Sequence, residues 1–268
     1  MSNKDGRAVA RDNDFRTLRS LHRFGWLRSR DLAALVWQQW AREPPSAPSL
    51  KQPAPSASAV RMAQRTLSRL RARRLVLQAR APNGATLYAL AEAGARLLQQ
   101  SGIKATTGKD QVRRFSSGHF WHRCIANEIA AGAIVEGCRV STEREISQGL
   151  WLGGREGIAG KKPDVFIRCG AAAWWVEVER SRKNKTDYAH LLRWLGVVGQ
   201  DAPRPAAALM KDKDKEPLRW GRVVFVCAPA FRERLCQDLK EAGWSPGKID
   251  ALIFFSTSLY PLQDIAFA

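Results

Sequence analysis

Within KKPDVFIRCGAAAWWVEVERS, residues 161–181, three carboxylates (Asp164, Glu177 and Glu179) fall inside what reads as two β-strands joined by a Gly-Ala turn. Successive strand side chains point to opposite faces, so Glu177 and Glu179 share a face with Trp175 while Val176 and Val178 take the other. Two acids about 7 Å apart along one strand repel each other unless a cation or basic groups stand between them. A neighbouring strand that delivers Asp164 beside this couple would complete an all-oxygen site suited to a hard cation, magnesium or manganese. The charge has a second solution: Arg180, Arg182, Lys183 and Lys185 follow at once and could neutralise the acids as an ion-pair ladder.

Several elements must position these residues. GHFWHRCIANEIAAGAIVEG has a helical apolar pattern in Trp121, Ile125, Ile129 and Ile134, with Glu128 one turn beyond Cys124. CRVSTEREI alternates as a strand, SQGLWLGGREGIAG is a Gly-rich hairpin or loop, and the two strands at PDVFIRC and AAWWVEVE follow. NKTDYAHLLRWLGVVG is a helix, RVVFVCA a buried strand, AFRERLCQDLKEAG a helix and ALIFFST a last strand. The order α-β-β-β-α-β-α-β implies a mixed sheet with helices on its faces. His119 and His122 share a helix face without an evident third ligand, and read as packing or phosphate-contacting residues. Trp174, Trp175 and Trp194 sit in apolar patterns that suit a core.

The first part of the chain has a different composition. Net charge is +19, and residues 1–114 hold 22 lysines and arginines against 7 aspartates and glutamates, leaving 22 against 18 for the rest. A surface this basic points to a polyanionic partner, nucleic acid first. FRTLRSLHRFGWL spaces Phe15, Leu18, Leu21 and Phe24 as one helix face, with Gly25 as its stop; SRDLAALVWQQW opens a second helix with Ser29 as N-cap. Residues 42–58, with five prolines and four serines, read as a flexible loop. AVRMAQRTLSRLRARR then turns Val60, Ala63, Leu67 and Leu70 inward and most of Arg61, Arg65, Arg69, Arg71, Arg73 and Arg74 outward, as a recognition helix does. Two short strands flank Pro82-Asn83-Gly84, a tight-hairpin signal, and AEAGARLLQQ closes the segment as a helix.

Helix, helix, basic helix, hairpin, helix is the order of a winged helix-turn-helix domain, whose third helix enters the major groove while flanking basic groups hold phosphates. Arg61, Arg65, Arg69, Arg73, Arg74 and Asn83 are its candidate DNA-binding residues. The competing reading is a small α/β domain whose arginines form a solvated face. The expected organisation is thus a winged helix over residues 1–100, a polar linker over 101–117 and a second, mixed-sheet domain over 118–268. Five dispersed cysteines with no C-x-x-C pair read as reduced, mostly buried thiols. The chain lacks an apolar run long enough for a membrane span and an apolar N-terminal signal, so a cytoplasmic location without membrane partners is expected.

The Pro-Asp dipeptide at 163–164, Glu177-x-Glu179 and the helix carrying Glu128 resemble the PD-(D/E)XK nuclease fold. That resemblance implies an α/β (α+β) mixed-sheet domain in which Asp164 and Glu177 are metal ligands and Glu128 is an auxiliary acid. Glu179 stands where that family has its lysine, so Lys183, Lys185 or Lys162 would have to substitute. Over residues 15–190, RTLSRLRARRLV, LYALAEAG, HRCIANEI and KPDVFI…WWVEVERS also resemble the replication-relaxation and mobilisation proteins of bacterial plasmids and integrative elements. The Pro-rich insertion and the KDKDKE stretch at 211–216 depart from that pattern. Double-stranded DNA is the partner expected from the charge and the helix order; this resemblance adds a relaxase or mobilisation complex, and a homodimer is a further expectation.

Two functions remain open at this point. One is a DNA-processing protein whose second domain hydrolyses phosphodiesters with magnesium or manganese, using Asp164, Glu177, Glu179, Glu128 and Lys183. The other is a non-enzymatic regulator or mobilisation accessory whose nuclease-like domain serves dimerisation. RNA binding has less support, since no stacking-platform motif is present.

Overall fold

A computed structural model describes residues 5–81, 83–113, 117–179, 184–210 and 217–257. Their contacts divide into two compact units, the first holding residues 5–40 and Gln52–Val135, the second Ala41–Lys51 and the described residues from Glu136 to 257. The chain is mixed α/β, with N-terminal helices and a small three-stranded antiparallel sheet followed by a five-stranded mixed sheet with helices. Among the described residues, no helix is long and apolar enough to cross a membrane.

The first unit opens with α1 (Gly6–Phe24), whose Thr17, Leu18, Leu21 and Phe24 are buried on one stripe. Gly25 ends it at φ 83°, a left-handed conformation that a side chain would resist. β1 (Trp26–Leu27) leads into α2 (Ser29–Trp37). The sequence points to Ser29 as N-cap, but the cap is Arg28, whose backbone N–H donates to Asp31 Oδ2 at 2.8 Å. Asp31 lies three residues on and satisfies the donor, so Ser29 becomes the first helical residue.

Next comes α3 (Ala57–Ala72), capped by the Ser56 hydroxyl on Ala59 N and burying Ala59, Ala63, Thr66, Leu67 and Leu70. β2 (Val76–Arg80) and β3 (Thr86–Leu90) pair antiparallel, with β1 on the far side of β3. Their last paired residues are Arg80 and Thr86, so the connection is longer than a two-residue Asn-Gly turn. Among the described residues of this connection, only Gly84 takes a positive φ, 84°, while Asn83 acts through its side chain, accepting Ala85 N at 3.2 Å. Pro82 lies outside the described residues.

α4 (Glu92–Gln100) and α5 (Lys109–Arg113) follow. The segment expected to be a linker is bound to the first unit instead. Gly108 N and Thr107 Oγ1 both donate to Leu90 O, at 2.8 and 2.9 Å, and a Cβ on Gly108 would lie 2.6 Å from Gly25 O. α6 (Ser117–Val135) is held just as closely. Phe120 stacks on Trp26 with ring centroids 5.5 Å apart, Arg123 donates to Phe24 O at 3.0 Å, and Asn127 donates to Trp26 O at 3.1 Å. Buried donors placed on carbonyls of the α1–β1 corner fix this helix, so the two units divide at Val135/Glu136 rather than near residue 117.

In the second unit β4 (Arg139–Ser141), α7 (Glu143–Ser147), β5 (Val165–Cys169), β6 (Ala172–Glu179), α8 (Lys185–Asp201), β7 (Arg219–Cys227), α9 (Pro229–Glu241), α10 (Pro246–Leu252) and β8 (Ile253–Ser256) build the larger sheet. Its order is β4-β5-β6-β7-β8, the first two pairings antiparallel and the last two parallel. α8 is the crossover between parallel β6 and β7, and Leu191, Trp194, Leu195 and Val198 pack in one core with Phe166, Trp175, Val223 and Phe225 of the sheet. Trp175 and Trp194 are buried, and Trp174 is half-buried on the other face. α7 occupies Glu143–Ser147, most of which the alternation had placed in a strand that in fact ends at Ser141, and α10 is a short helix not separated from its surroundings. The Pro-rich stretch is partly ordered into this unit: Ser49 gives its backbone N–H and hydroxyl to the Glu136 carboxylate, and a Cβ on Gly137 would lie 2.8 Å from Ala41 O.

Candidate functional sites

The acids of the second unit are placed by strand register. Val165 pairs with Val176, so Asp164, one residue earlier, stands across from Glu177. Asp164 N donates to Val176 O at 2.9 Å, and its Oδ2 accepts Val178 N at 2.7 Å. Glu177 is 4% exposed and Glu179 6%. A carboxylate this buried needs partners. Glu177 Oε1 accepts Lys161 Nζ and Trp175 Nε1, each at 2.5 Å. Burial pushes the Glu177 carboxyl above its ordinary range, as do Asp164 and Glu179, while the Lys161 ammonium pulls it back.

Lys161 was absent from the stand-ins considered from sequence, and local geometry explains its position. Ile158 and Lys161 pair across a two-residue turn, with bonds of 2.9 and 3.2 Å between their backbones. The residues between them, Ala159 and Gly160, take φ of 51° and 77°, the left-handed pair of a primed turn. The Lys161 carbonyl sits where a Cβ on Gly157 would be, 2.2 Å away, so that glycine is required. From this turn the ammonium lies 5.6 Å from the Trp194 ring centroid and 5.9 Å from that of Trp175, and Trp194 is fixed by its own bond to Ile158 O at 2.9 Å. The signal in the sequence was Ala159-Gly160 before Lys161, read there as part of a Gly-rich hairpin or loop without a role for Lys161.

Of the other residues singled out, Glu179 ends β6 opposite Cys227, whose thiol is raised to about 12 by burial and by the Glu179 charge. Lys162 is exposed, Lys185 begins α8, and Lys183 lies outside the described residues, as do Arg180 and Arg182. Glu128 belongs to the first unit. It is 1% exposed, and its carboxylate is taken by Arg28 and Gln52. Arg28 also holds Asp31 through Nε and Nη2, at 3.0 and 2.9 Å. Burial raises the Glu128 carboxyl above its ordinary range against the pull of Arg28.

Asp164 and Glu177 offer facing oxygen donors of the kind a hard cation takes, and Glu177 Oε2 is the oxygen that Lys161 and Trp175 do not use. Among the described residues, no group of three or more His, Cys, Asp or Glu side chains is arranged to hold a metal ion.

In the first unit the candidate nucleic-acid surface is the exposed stripe of α3. Arg61 and Arg65, one turn apart, are exposed and make no hydrogen bond or ion pair among the described residues. Arg69 and Arg73 turn aside to Asp14 of α1, the second at 3.4 Å. Arg74 adopts φ 58° at the end of the helix and is exposed. On the hairpin side, Val60 and Gln64 of α3, Arg30 of α2, and Asn83, Thr86 and Tyr88 line a cleft of about 850 Å³. Arg71 bonds Gln78 across to the hairpin, and Arg80 bonds Gly84 O at 2.8 Å. Arg30 and Gln64 were not among the residues chosen from sequence, because only the folded hairpin brings them into one cleft.

No protein-family model matches the sequence, and no curated protein or solved structure matches it either.

Proposed function

We propose that this chain grips duplex DNA with the arginine face of α3 and the adjoining hairpin, and that its second unit hydrolyses phosphodiester bonds with a divalent cation held by Asp164 and Glu177. The setting is a bacterial plasmid or mobile element, and assembly with a relaxase or mobilisation complex, through resemblance, or as a homodimer belongs to the same proposal. The winged-helix reading is supported by the order α1, α2, α3, hairpin. The nuclease-like reading is supported by the meander β4–β5–β6 followed by a parallel crossover through α8 to β7.

The carrying observation is Lys161 on Glu177, with Asp164 across the strand pair. The resemblance asks for a lysine beside the second acid, and the residue in the family's position is Glu179. Lys161 brings that charge from the strand-entry turn instead. Magnesium or manganese would polarise the scissile phosphate and lower the pKa of a bound water. Lys161, fixed by Glu177 and two indoles, would donate to a phosphate oxygen as its charge grows, and its charge favours the ionised form of Glu177 that a ligand needs.

A second reading, a non-enzymatic regulator or mobilisation accessory, has its own support. Glu177 is already neutralised by Lys161, and among the described residues no group of three metal-binding side chains exists. Nicking of supercoiled plasmid by the full chain, with magnesium, manganese or chelator, separates the two. Cation-dependent nicking lost in Asp164→Asn supports hydrolysis. Duplex binding that is steeply salt-dependent, with no nicking and no cation effect on melting, leaves the accessory reading. Absence of duplex binding at low salt would remove both.

A further inference from the structure

Two of the five cysteines face each other at the edge of the second unit's sheet. β4 is the edge strand, and its register with β5 sets Arg139 opposite Arg168. Continued by one residue, the same register brings Cys138, just before β4, opposite Cys169, the last residue of β5. Direct partners in an antiparallel pair have Cα atoms about 4.5–5.5 Å apart, within the roughly 4.4–6.8 Å that a disulfide spans. By strand alternation both thiols lie on the face opposite Asp164 and Glu177. Each thiol is also the largest influence on the other's titration, as close neighbours are. Glycines flank the pair, Gly137 before Cys138 at φ 84° and Gly170 after Cys169 at φ 58°, so the backbone beside each cysteine has no side chain to resist adjustment.

We propose that Cys138 and Cys169 form a dithiol–disulfide couple, closed by a small-molecule disulfide such as oxidised glutathione, which ties the segment bearing Lys161 and Asp164 into a covalent loop. Cys138 is the attacking thiol. The neighbouring Cys169 thiol pulls it below the usual thiol range, and Cys138 together with burial pushes Cys169 well above. The Cys138 thiolate attacks one sulfur of glutathione disulfide, forming a mixed disulfide and expelling one glutathione thiolate. Cys169 then loses its proton, attacks the Cys138 sulfur and expels the second glutathione. Two protein thiols give up two electrons, and one disulfide is reduced to two thiols. Both cysteines are buried, so the rate depends on local opening of β4, a three-residue edge strand whose release exposes little core.

The full chain is equilibrated in glutathione buffers from fully reduced to fully oxidised, unfolded, and alkylated. Alkylatable thiols should fall from five to three as the buffer is oxidised, with a mass loss of two hydrogens and a peptide pair joining Cys138 to Cys169. Closing the loop restricts the unfolded chain, so melting should rise by about 5 °C and return with dithiothreitol. Cys138→Ser and Cys169→Ser should show neither the cross-linked peptide nor the rise. Five free thiols at the most oxidising ratio, a cross-link between any other pair, or glutathione remaining on Cys138 without closure would each overturn the proposal. The wild-type peptide map decides the matter even if a serine variant fails to fold.

Discussion

In the first unit, Arg28 stands between Asp31 and Glu128; in the second, Lys161 stands beside Glu177 with Asp164 across the strand pair. Each cluster buries a base among acids, and burial raises the glutamate carboxyl in both. The bases differ. A guanidinium is a planar fork with five donors, and here it serves Asp31 twice and Glu128 once while Gln52 takes the remaining Glu128 oxygen. That cluster is saturated and joins α2 to α6. An ammonium is a compact charge, and Lys161 occupies one oxygen of Glu177 while Asp164 turns an oxygen to a backbone N–H. Two glutamates of similar burial therefore differ in their partners: both oxygens of Glu128 are taken by side chains that join a helix pair, whereas Lys161 and Trp175 share one oxygen of Glu177.

The widest separation between the clusters should appear in catalysis. On the hydrolytic reading, Asp164→Asn or Lys161→Met lowers the plasmid nicking rate by about 10²–10³-fold, the cost of removing one preorganised charge from a phosphoryl-transfer site. Glu128→Gln keeps Asp164 and Lys161 in place and should leave the rate at saturating DNA within a few-fold. Rates of single-turnover nicking for the three variants measure this; an equal loss in all three would erase the distinction.

Stability should separate the clusters in the opposite sense. Glu128→Ala leaves Arg28 buried with one carboxylate fewer, which costs about 3–5 kcal/mol when a fully buried pair loses a partner. Urea unfolding should show that loss as a lower midpoint with an unchanged slope. Lys161→Met exchanges the ammonium for an apolar chain among Trp175 and Trp194, and Glu177 answers by taking up a proton. Its cost should be the smaller of the two, about 1–3 kcal/mol.

How much of this was legible in the sequence depended on whether the signal was local. Helix stripes, the basic α3 and the strands around 165–179 follow from periods of 3.6 and 2, and the structure has them. The pairing of Asp164 with Glu177 follows from a short hairpin between two such strands. That α6, and Glu128 with it, packs in the first unit was not legible because its apolar face looks the same whichever core it fills; Arg123 and Asn127, which donate to Phe24 O and Trp26 O, gave no periodic signal. Lys161 was missed because its role depends on a backbone turn and two distant indoles. Arg69 and Arg73 carried the right charge for a phosphate face, but Asp14 lies more than fifty residues away and no pattern announces it.

That last point divides the arginines of α3. Arg61→Ala with Arg65→Ala should weaken duplex binding by about 1–3 kcal/mol for each arginine that reads a base edge, and should make the salt slope shallower for each arginine that neutralises a phosphate. Arg69→Ala with Arg73→Ala should weaken it less, because both side chains are directed to Asp14. These pairs are half-exposed, with arginine side chains 47% and 55% accessible, so their removal should cost the fold no more than about 1 kcal/mol. Fluorescence anisotropy with a labelled duplex over a salt series ranks the two double variants; the reverse order would turn the DNA-facing surface of α3 toward α1.

The smallest effect expected is a slope with pH, and its sign follows from burial. Glu128 and Glu177 have folded pKa values raised above their ordinary 4.5, with desolvation as the first cause in each. Between the unfolded and folded values the native state binds more protons than the unfolded chain, so each glutamate makes stability fall as pH rises through that window. Below the ordinary value both states are protonated and the contribution is complete; above the raised value it is gone. The slope is bounded at about 1.4 kcal/mol per pH unit for each group. Other carboxylates add their own slopes, so the informative quantity is a difference between variants. Glu128→Gln should remove one descending component from unfolding free energies measured above pH 4.5, and Glu177→Gln another. The two differ in what divalent cations do. A cation bound at Asp164 and Glu177 favours the ionised carboxylate, so magnesium or manganese should flatten the component that Glu177→Gln removes and leave the one that Glu128→Gln removes unchanged. Equal flattening of both, or of neither, would mean that Glu177 does not hold a cation.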